Sequence, residues 1–281
     1  MEKQRDIHLK ISKRNAAYQV LSALKNNRKK RCKAGEIFIE GIESIKQAVA
    51  AQLIITRIIY QHYATLSDWS RALLAEYTEA KQIEMTEDLY RELCDKQSPA
   101  EIIITARFTI KTLSDPALPD KPFILILDRP GDKGNLGSII RTANALQVDL
   151  IIIIGHAVDI LDPKVIRTSL GAVFFTPVVQ AQSQADFETW LTGIKKKTGL
   201  LLLGTDSGGD VALHDCTTGS AVAVILGNEA KGISQRLKEI CDIFIKIPIT
   251  GNVNSLNVAC AGSILLWHFR NLYNQAGPPL K

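Results

Sequence analysis

The chain has 281 residues, 46% hydrophobic, 22% charged and 6% aromatic, with a formal net charge of +5. That balance supplies a buried core and excludes a disordered or low-complexity chain, and the length suggests two domains or one large one. No apolar run approaches the roughly 18 residues a membrane span needs, and the charged start from Glu2 lacks the apolar core of a signal peptide, so a cytoplasmic protein with no membrane partner is expected.

The positive charge is concentrated. Residues 1–33 hold eleven of the 34 Lys and Arg and only two acids, Glu2 and Asp6. A block of like charge repels itself without a polyanion, so residues 1–33 are expected to be a basic arm that contacts nucleic-acid phosphates. A solvated tail is the plainer alternative. Within the block, Ala17, Val20, Leu21 and Leu24 share one helical face.

Residues 34–113 alternate strands and helices. Strands are expected at Ile37–Ile39, Leu53–Tyr60 and Ile102–Thr105, and helices at Glu43–Ala51, Asp68–Glu76 and Glu87–Leu93. Such a segment makes a small α/β domain. The proline-rich stretch SDPALPDKP, spanning 114–122, reads as a linker.

Residues 123–281 alternate more regularly. Strands are expected at Phe123–Leu127, Leu150–Ile154, Leu200–Leu203, Ala221–Leu226 and Ile243–Ile247. Helices are expected at Ser138–Leu146, Ala185–Lys197, Ser234–Ile240 and Ser255–Tyr273. Near-continuous apolar strands separated by helices imply a parallel sheet covered on both faces.

The five cysteines form no CxxC pair and the five histidines no metal spacing. A reducing compartment is expected, and no metal site.

Ligands bind outside the carboxyl ends of strands in such sheets, and three loops are placed there. Asp128–Gly137 (DRPGDKGNLG) carries three glycines, with Arg141 about one turn into the helix that follows. Leu226–Gly232 (LGNEAKG) offers Asn228 and Glu229 between two glycines. Ile247–Asn257 (IPITGNVNSLN) offers Ser255 and Asn257 at the head of an apolar helix. Singly, each has an ordinary explanation: a glycine-rich turn, a helix-capping acid, an N-cap serine.

Together, in this order, NLGSIIRTA, LGNEAKG and IPITGNVNSLNVA resemble the three motifs of the SpoU branch of the SPOUT methyltransferases, the TrmH-like RNA 2′-O-ribose methyltransferases. Asp162, Pro163, Lys164, Arg167, Ser169 and Gly171 resemble the family's intermediate segment. ISKRNAAYQVLSALKNNRKKR, EIFIEGIESIKQAV and SPAEIIITA resemble the L30e-like RNA-binding domain that often precedes it. Ala230 departs from the family, where many relatives have glycine.

The resemblance implies an α/β fold with a deep C-terminal trefoil knot, S-adenosylmethionine as cofactor, no metal, and a homodimer through the long C-terminal helix. That helix offers Val258, Ala259, Gly262, Leu265 and Leu266 for close packing, against a partner or its own sheet. Gly227, Ile247 and Leu256 would line the cofactor's adenine and ribose, with Asn228 and Thr205 as further candidates. Arg141, Asn135, Glu229, Ser255 and Asn257 would form the catalytic set, with Arg141 clamping phosphate and stabilising developing alkoxide. The substrate would be structured RNA, with ribosomal RNA favoured over transfer RNA by analogy. A transfer-RNA enzyme or a non-catalytic RNA-binding relative is the alternative. A dinucleotide-binding enzyme is disfavoured, because the first loop lacks GxGxxG.

Overall fold

Residues 8–33, expected within the basic arm, fold into a strand and two helices, the second running on to Ala34, in the computed structural model, which describes residues 8–61, 66–95, 99–217 and 221–275. The segment belongs to the first of two units, composed of Met1–Thr109 and Asp159–Phe174; the second is Ile110–Val158 and Phe175–Lys281. Residues 1–7, with Lys3 and Arg5, lie outside the described residues.

In the first unit β1 is His8–Ile11, α1 Ala16–Asn26, α2 Arg28–Ala34, β2 Glu36–Glu40, α3 Ile42–Ala50, β3 Ile55–Gln61, α4 Asp68–Glu76, β4 Lys81–Met85, α5 Glu87–Leu93 and β5 Ile102–Arg107. The five-stranded sheet runs β1-β4-β3-β5-β2. β1 and β3 lie parallel to β4, and β5 is antiparallel to β3 and β2.

Helix α1 begins where the Asn15 side chain accepts the Tyr18 N–H at 3.0 Å. Its buried face is Tyr18, Leu21 and Leu24, while Val20 is exposed. The face is turned from the one the apolar pattern suggested because the Tyr18 ring is a core side chain, its hydroxyl donating to Glu92. Arg31 on α2 is 2% exposed. Its Nε donates to Asp159 at 3.1 Å, and its Nη1 to the carbonyls of Leu24 and Lys25, each at 2.7 Å. A guanidinium is tolerated at such depth only when paired and hydrogen-bonded. Lys10, Arg14 and Lys25 pair with Glu84, Glu92 and Asp95. Much of the basic block is thus neutralised by acids of its own unit, whereas Lys29, Lys30 and Lys33 stay exposed on α2.

In the second unit β6 (Phe123–Asp128), α6 (Lys133–Ala145) and β7 (Leu150–Ile154) come first. Next in the chain, α7 (Pro163–Thr168) belongs to the first unit, where Arg167 donates to Glu40 at 2.9 Å. The second unit resumes with β8 (Val178–Gln180), α8 (Gln184–Thr198), β9 (Leu201–Thr205), β10 (Val211–Ala212), β11 (Val222–Leu226), α9 (Gln235–Lys238), β12 (Ile243–Lys246) and α10 (Val258–Gln275). Its seven strands run β10-β12-β9-β11-β6-β7-β8, and every pairing is parallel. β6, β7 and β11 are buried along their whole length, as continuous apolar strands in a doubly covered sheet must be.

Helix α10 packs on this sheet. A Cβ at Gly262 would lie 2.8 Å from Leu226 Cδ1, and Leu265, Leu266 and Phe269 are buried. Of the residues offered for close packing, Gly262, Leu265 and Leu266 therefore face their own unit and Val258 and Ala259 are half-buried, while Ile264 and Trp267 are exposed, the latter at 62%. Tyr273 anchors the far end: its hydroxyl donates to the Pro122 carbonyl and accepts the Val222 N–H, both at 3.0 Å. Among the described residues no helix is long and apolar enough to cross a membrane.

Candidate active site

Because all seven strands are parallel, the loops after β6, β11 and β12 leave one edge of the sheet. β6 and β11 are neighbours, and β12 is separated from β11 by β9.

In the first loop the chain turns helical earlier than its glycines suggest. The Asp132 side chain accepts the Asn135 N–H at 2.8 Å and caps α6. Asn135 therefore sits in the first helical turn, and Gly137 is buried within the helix. Arg141 falls in the third turn, not the first. It is exposed and lines a cleft of about 480 Å³ with Ser138, Ser263 and Trp267. Six residues separate it from Asn135, about 9 Å of helix rise.

The second loop is a tight turn. The main chains of Asn228 and Gly232 exchange hydrogen bonds at 3.1 and 2.8 Å. The Asn228 side chain accepts the N–H groups of Ala230 and Lys231, each at 3.1 Å, and donates to the Arg129 carbonyl at 2.8 Å. A Cβ at Gly227 would stand 2.4 Å from the Gly232 carbonyl carbon, so only glycine fits there. Glu229 caps no helix. Its carboxylate accepts the Gly131 N–H and the Asn135 Nδ2, both at 3.3 Å.

In the third loop Asn257, not Ser255, caps α10, accepting the Ala259 and Cys260 N–H groups at 2.8 and 3.3 Å. That shortens the helix expected from Ser255. The Asn257 Nδ2 also donates to Asn135 Oδ1 at 3.1 Å. Glu229, Asn135 and Asn257 thus form one hydrogen-bonded chain through all three loops.

Beside it lies a cleft of about 160 Å³ whose walls include Thr205, Ile245, Ile247, Ser255, Leu256 and Leu265. It gathers three of the five expected cofactor contacts, Thr205, Ile247 and Leu256, together with Ser255 from the expected catalytic set. Gly227 and Asn228 shape the neighbouring turn instead. Asp206, also on the wall, is held by the Gly208 N–H and by Lys238 Nζ, each at 3.0 Å, which keeps its carboxyl below the usual range.

Residues 122–267 match the SpoU rRNA Methylase family, and residues 15–105 match the SpoU L30e-like domain. The chain belongs to the SpoU rRNA methylase family. It is 34% identical over 260 residues to a 23S rRNA (uridine(2479)-2′-O)-methyltransferase of Streptomyces viridochromogenes, covering 92% of this chain and 90% of that protein. The crystal structure of the SpoU methyltransferase AviRb from Streptomyces viridochromogenes, in complex with the cofactor AdoMet, superposes with a TM-score of 0.86 at 33% identity, covering 95% of this chain and all of that one. The 23S rRNA (guanosine(2553)-2′-O)-methyltransferase RlmP of Bacillus subtilis is 26% identical over 245 residues, 87% of this chain and 92% of that protein.

In this SpoU methylase two groups were missed in the sequence. Asp206 follows β9, and the same strand-end rule that picked out the other loops points to it through the turn TDSGGD. Asp128 and Arg129 lie inside the first motif loop yet carry no spacing that distinguishes them from ordinary turn residues.

Proposed function

We propose that this SpoU methylase transfers the methyl group of S-adenosylmethionine to a ribose 2′-hydroxyl of ribosomal RNA. The observation that carries the reading is the Glu229–Asn135–Asn257 chain, which runs directly into the cleft wall at Leu256 and Ser255.

The cleft's residues fit the cofactor. Ile245, Ile247, Leu256 and Leu265 offer apolar walls to a flat base, and Thr205, Asp206 and Ser255 offer hydroxyl and carboxylate partners to a ribose. Bound there, S-adenosylmethionine supplies a methyl group activated by its sulfonium charge. Gly227 and Asn228 hold the turn beside it. Attack on such a carbon must be in line, so positioning contributes a large part of the rate. Asn135, Glu229, Asn257 and Ser255 orient the ribose and accept its hydroxyl hydrogen bond. Arg141, along α6, clamps the RNA phosphate and stabilises charge growing on the ribose oxygen. A guanidinium offers only N–H donors and no acceptor, which disfavours it as the base.

Ribosomal RNA is preferred because the Streptomyces and Bacillus relatives bear 23S rRNA names. Lys29, Lys30 and Lys33 are the cations of the basic segment we assign to phosphate contact. A knotted path for the C-terminal segment, a homodimer using the exposed Ile264 and Trp267 of α10, and a cytoplasmic location complete the proposal.

Isothermal titration with S-adenosylmethionine tests the cofactor half. Saturable binding that weakens on Leu256→Glu is expected. Absence of binding would favour a non-catalytic RNA-binding role.

A further inference from the structure

At the exit of β6 an arginine occupies a glycine's conformation. Arg129 has φ +53°, in the left-handed region. For a non-glycine residue that conformation is strained and persists only where neighbours fix it. The Arg129 N–H donates to the Ile154 carbonyl at 2.9 Å, and its own carbonyl accepts Asn228 Nδ2 at 2.8 Å. Gly155 makes room for the stem: a Cβ there would come within 2.8 Å of Arg129 Cγ.

The guanidinium explains why the conformation is kept. Nε and Nη2 grip the two oxygens of Asp128 at 2.8 and 2.9 Å, in the bidentate geometry that makes such pairs strong. Nη2 also donates to the Gly232 carbonyl at 3.1 Å. Asp128 is 2% exposed, and its Oδ2 accepts the Ser234 N–H at 2.6 Å. The ion pair therefore ties the loop after β6 to the Gly232–Ser234 end of the turn that carries Glu229, while the Arg129 main-chain carbonyl holds its Asn228 end.

We propose that Arg129 is a positioning residue, a latch that holds the Asn228–Gly232 turn so that the Glu229 carboxylate meets Asn135. Without it, the Gly232 carbonyl loses a charged donor and the buried Asp128 loses its counter-charge, leaving the turn its own main-chain and Asn228 bonds and the 3.3 Å contacts of Glu229 with Gly131 and Asn135. The motif supplies the turn, and the arginine fixes where the turn stands.

Arg129→Gly separates the backbone from the side chain, because glycine adopts the left-handed conformation without strain. Two readouts are made on the full chain. In amide hydrogen exchange, Ala230, Lys231 and Gly232 are expected to lose protection by about tenfold or more in Arg129→Gly, while the strand amides of β6 and β11 keep theirs. Unchanged protection in the turn overturns the latch. In steady-state methyl transfer to ribosomal RNA, kcat is expected to fall about tenfold or more, with KM for S-adenosylmethionine within about threefold, and millimolar guanidinium is expected to restore part of kcat. A loosened turn with undiminished kcat overturns the positioning role. Should Arg129→Gly fail to fold, Arg129→Lys makes the same comparison, since it keeps charge and stem but cannot form the fork. Only the kinetic readout rests on the proposed methyl transfer. A wild-type chain that transfers no methyl group would refute that reading, while the exchange result would still decide the latch.

Discussion

Asn257 donates its side-chain amide to Asn135 Oδ1 across 3.1 Å, although 122 positions separate the two residues in the chain. The other end of the same Asn257 side chain caps α10, so one amide both starts a helix and reaches the first motif. Asn257→Ala and Asn135→Ala are each expected to lower single-turnover methyl transfer by about tenfold to a hundredfold. The double variant should be little worse than the poorer single one, because residues of one network do not add. Asn257→Ala should also lose about 1 kcal/mol of stability with its cap. Additive losses in the kinetic cycle would show that the two amides act separately.

Glycine at 227 is a steric requirement. Gly227→Ala forces a Cβ to within 2.4 Å of the Gly232 backbone and is expected to abolish cofactor binding by titration calorimetry. Gly193, inside α8, has nothing within 4 Å of an added Cβ. Gly193→Ala should bind the cofactor normally and gain about 0.5–1 kcal/mol in urea melts. Equal behaviour of the two variants would contradict the account of the turn.

These sites mark what a reader of the sequence can and cannot see. The continuous apolar strands FILILD, LIIII and VAVIL announce a sheet buried on both faces, and α4 and α5 begin and end where their patterns do. Strands β1 and β4, HLKI and KQIEM, are too short and too charged to stand out, and β1 is an edge. Helix α2 reads as a charged tail because its reason for folding, Asp159, lies 128 positions away from Arg31. Gly134 and Gly137 look like loop residues until Asp132 is seen to cap the helix containing them. Ser255 and Asn257 are equally good cap types. What decides between them is Asn135, a partner no local pattern reveals.

The Arg31–Asp159 pair should be costly to break. Arg31→Met leaves Asp159 buried without its partner and is expected to lower stability by about 3–5 kcal/mol in urea unfolding. Arg71→Ala, which removes an exposed pair with Asp68, should leave the midpoint unchanged. Comparable shifts would mean that burial adds nothing to the Arg31 pair. The same geometry predicts that removing residues 1–33 unfolds the first unit, so the RNA role of the segment is best tested by Lys29, Lys30 and Lys33→Glu. That triple variant should weaken ribosomal RNA binding and flatten its salt dependence.

Alkaline stability should report Cys241. Burial pushes its thiol from 9.0 to about 11. The folded state therefore favours the neutral thiol, so its contribution is complete below about pH 9 and is lost as pH rises toward about 11. Cys241→Ala should make the decline in urea midpoint across that window shallower than in the wild type. Parallel declines would assign the alkaline loss to other groups.

The most direct test of the central claim is single-turnover transfer from methyl-labelled S-adenosylmethionine to ribosomal RNA lacking the modification, followed by alkaline hydrolysis. The account predicts label in alkali-resistant dinucleotides, which only a 2′-O-methyl ribose leaves, and its loss in Arg141→Ala with cofactor affinity retained. Label on a base, no label at all, or transfer by Arg141→Ala within about tenfold of wild type, roughly 1.4 kcal/mol in the barrier, would contradict it.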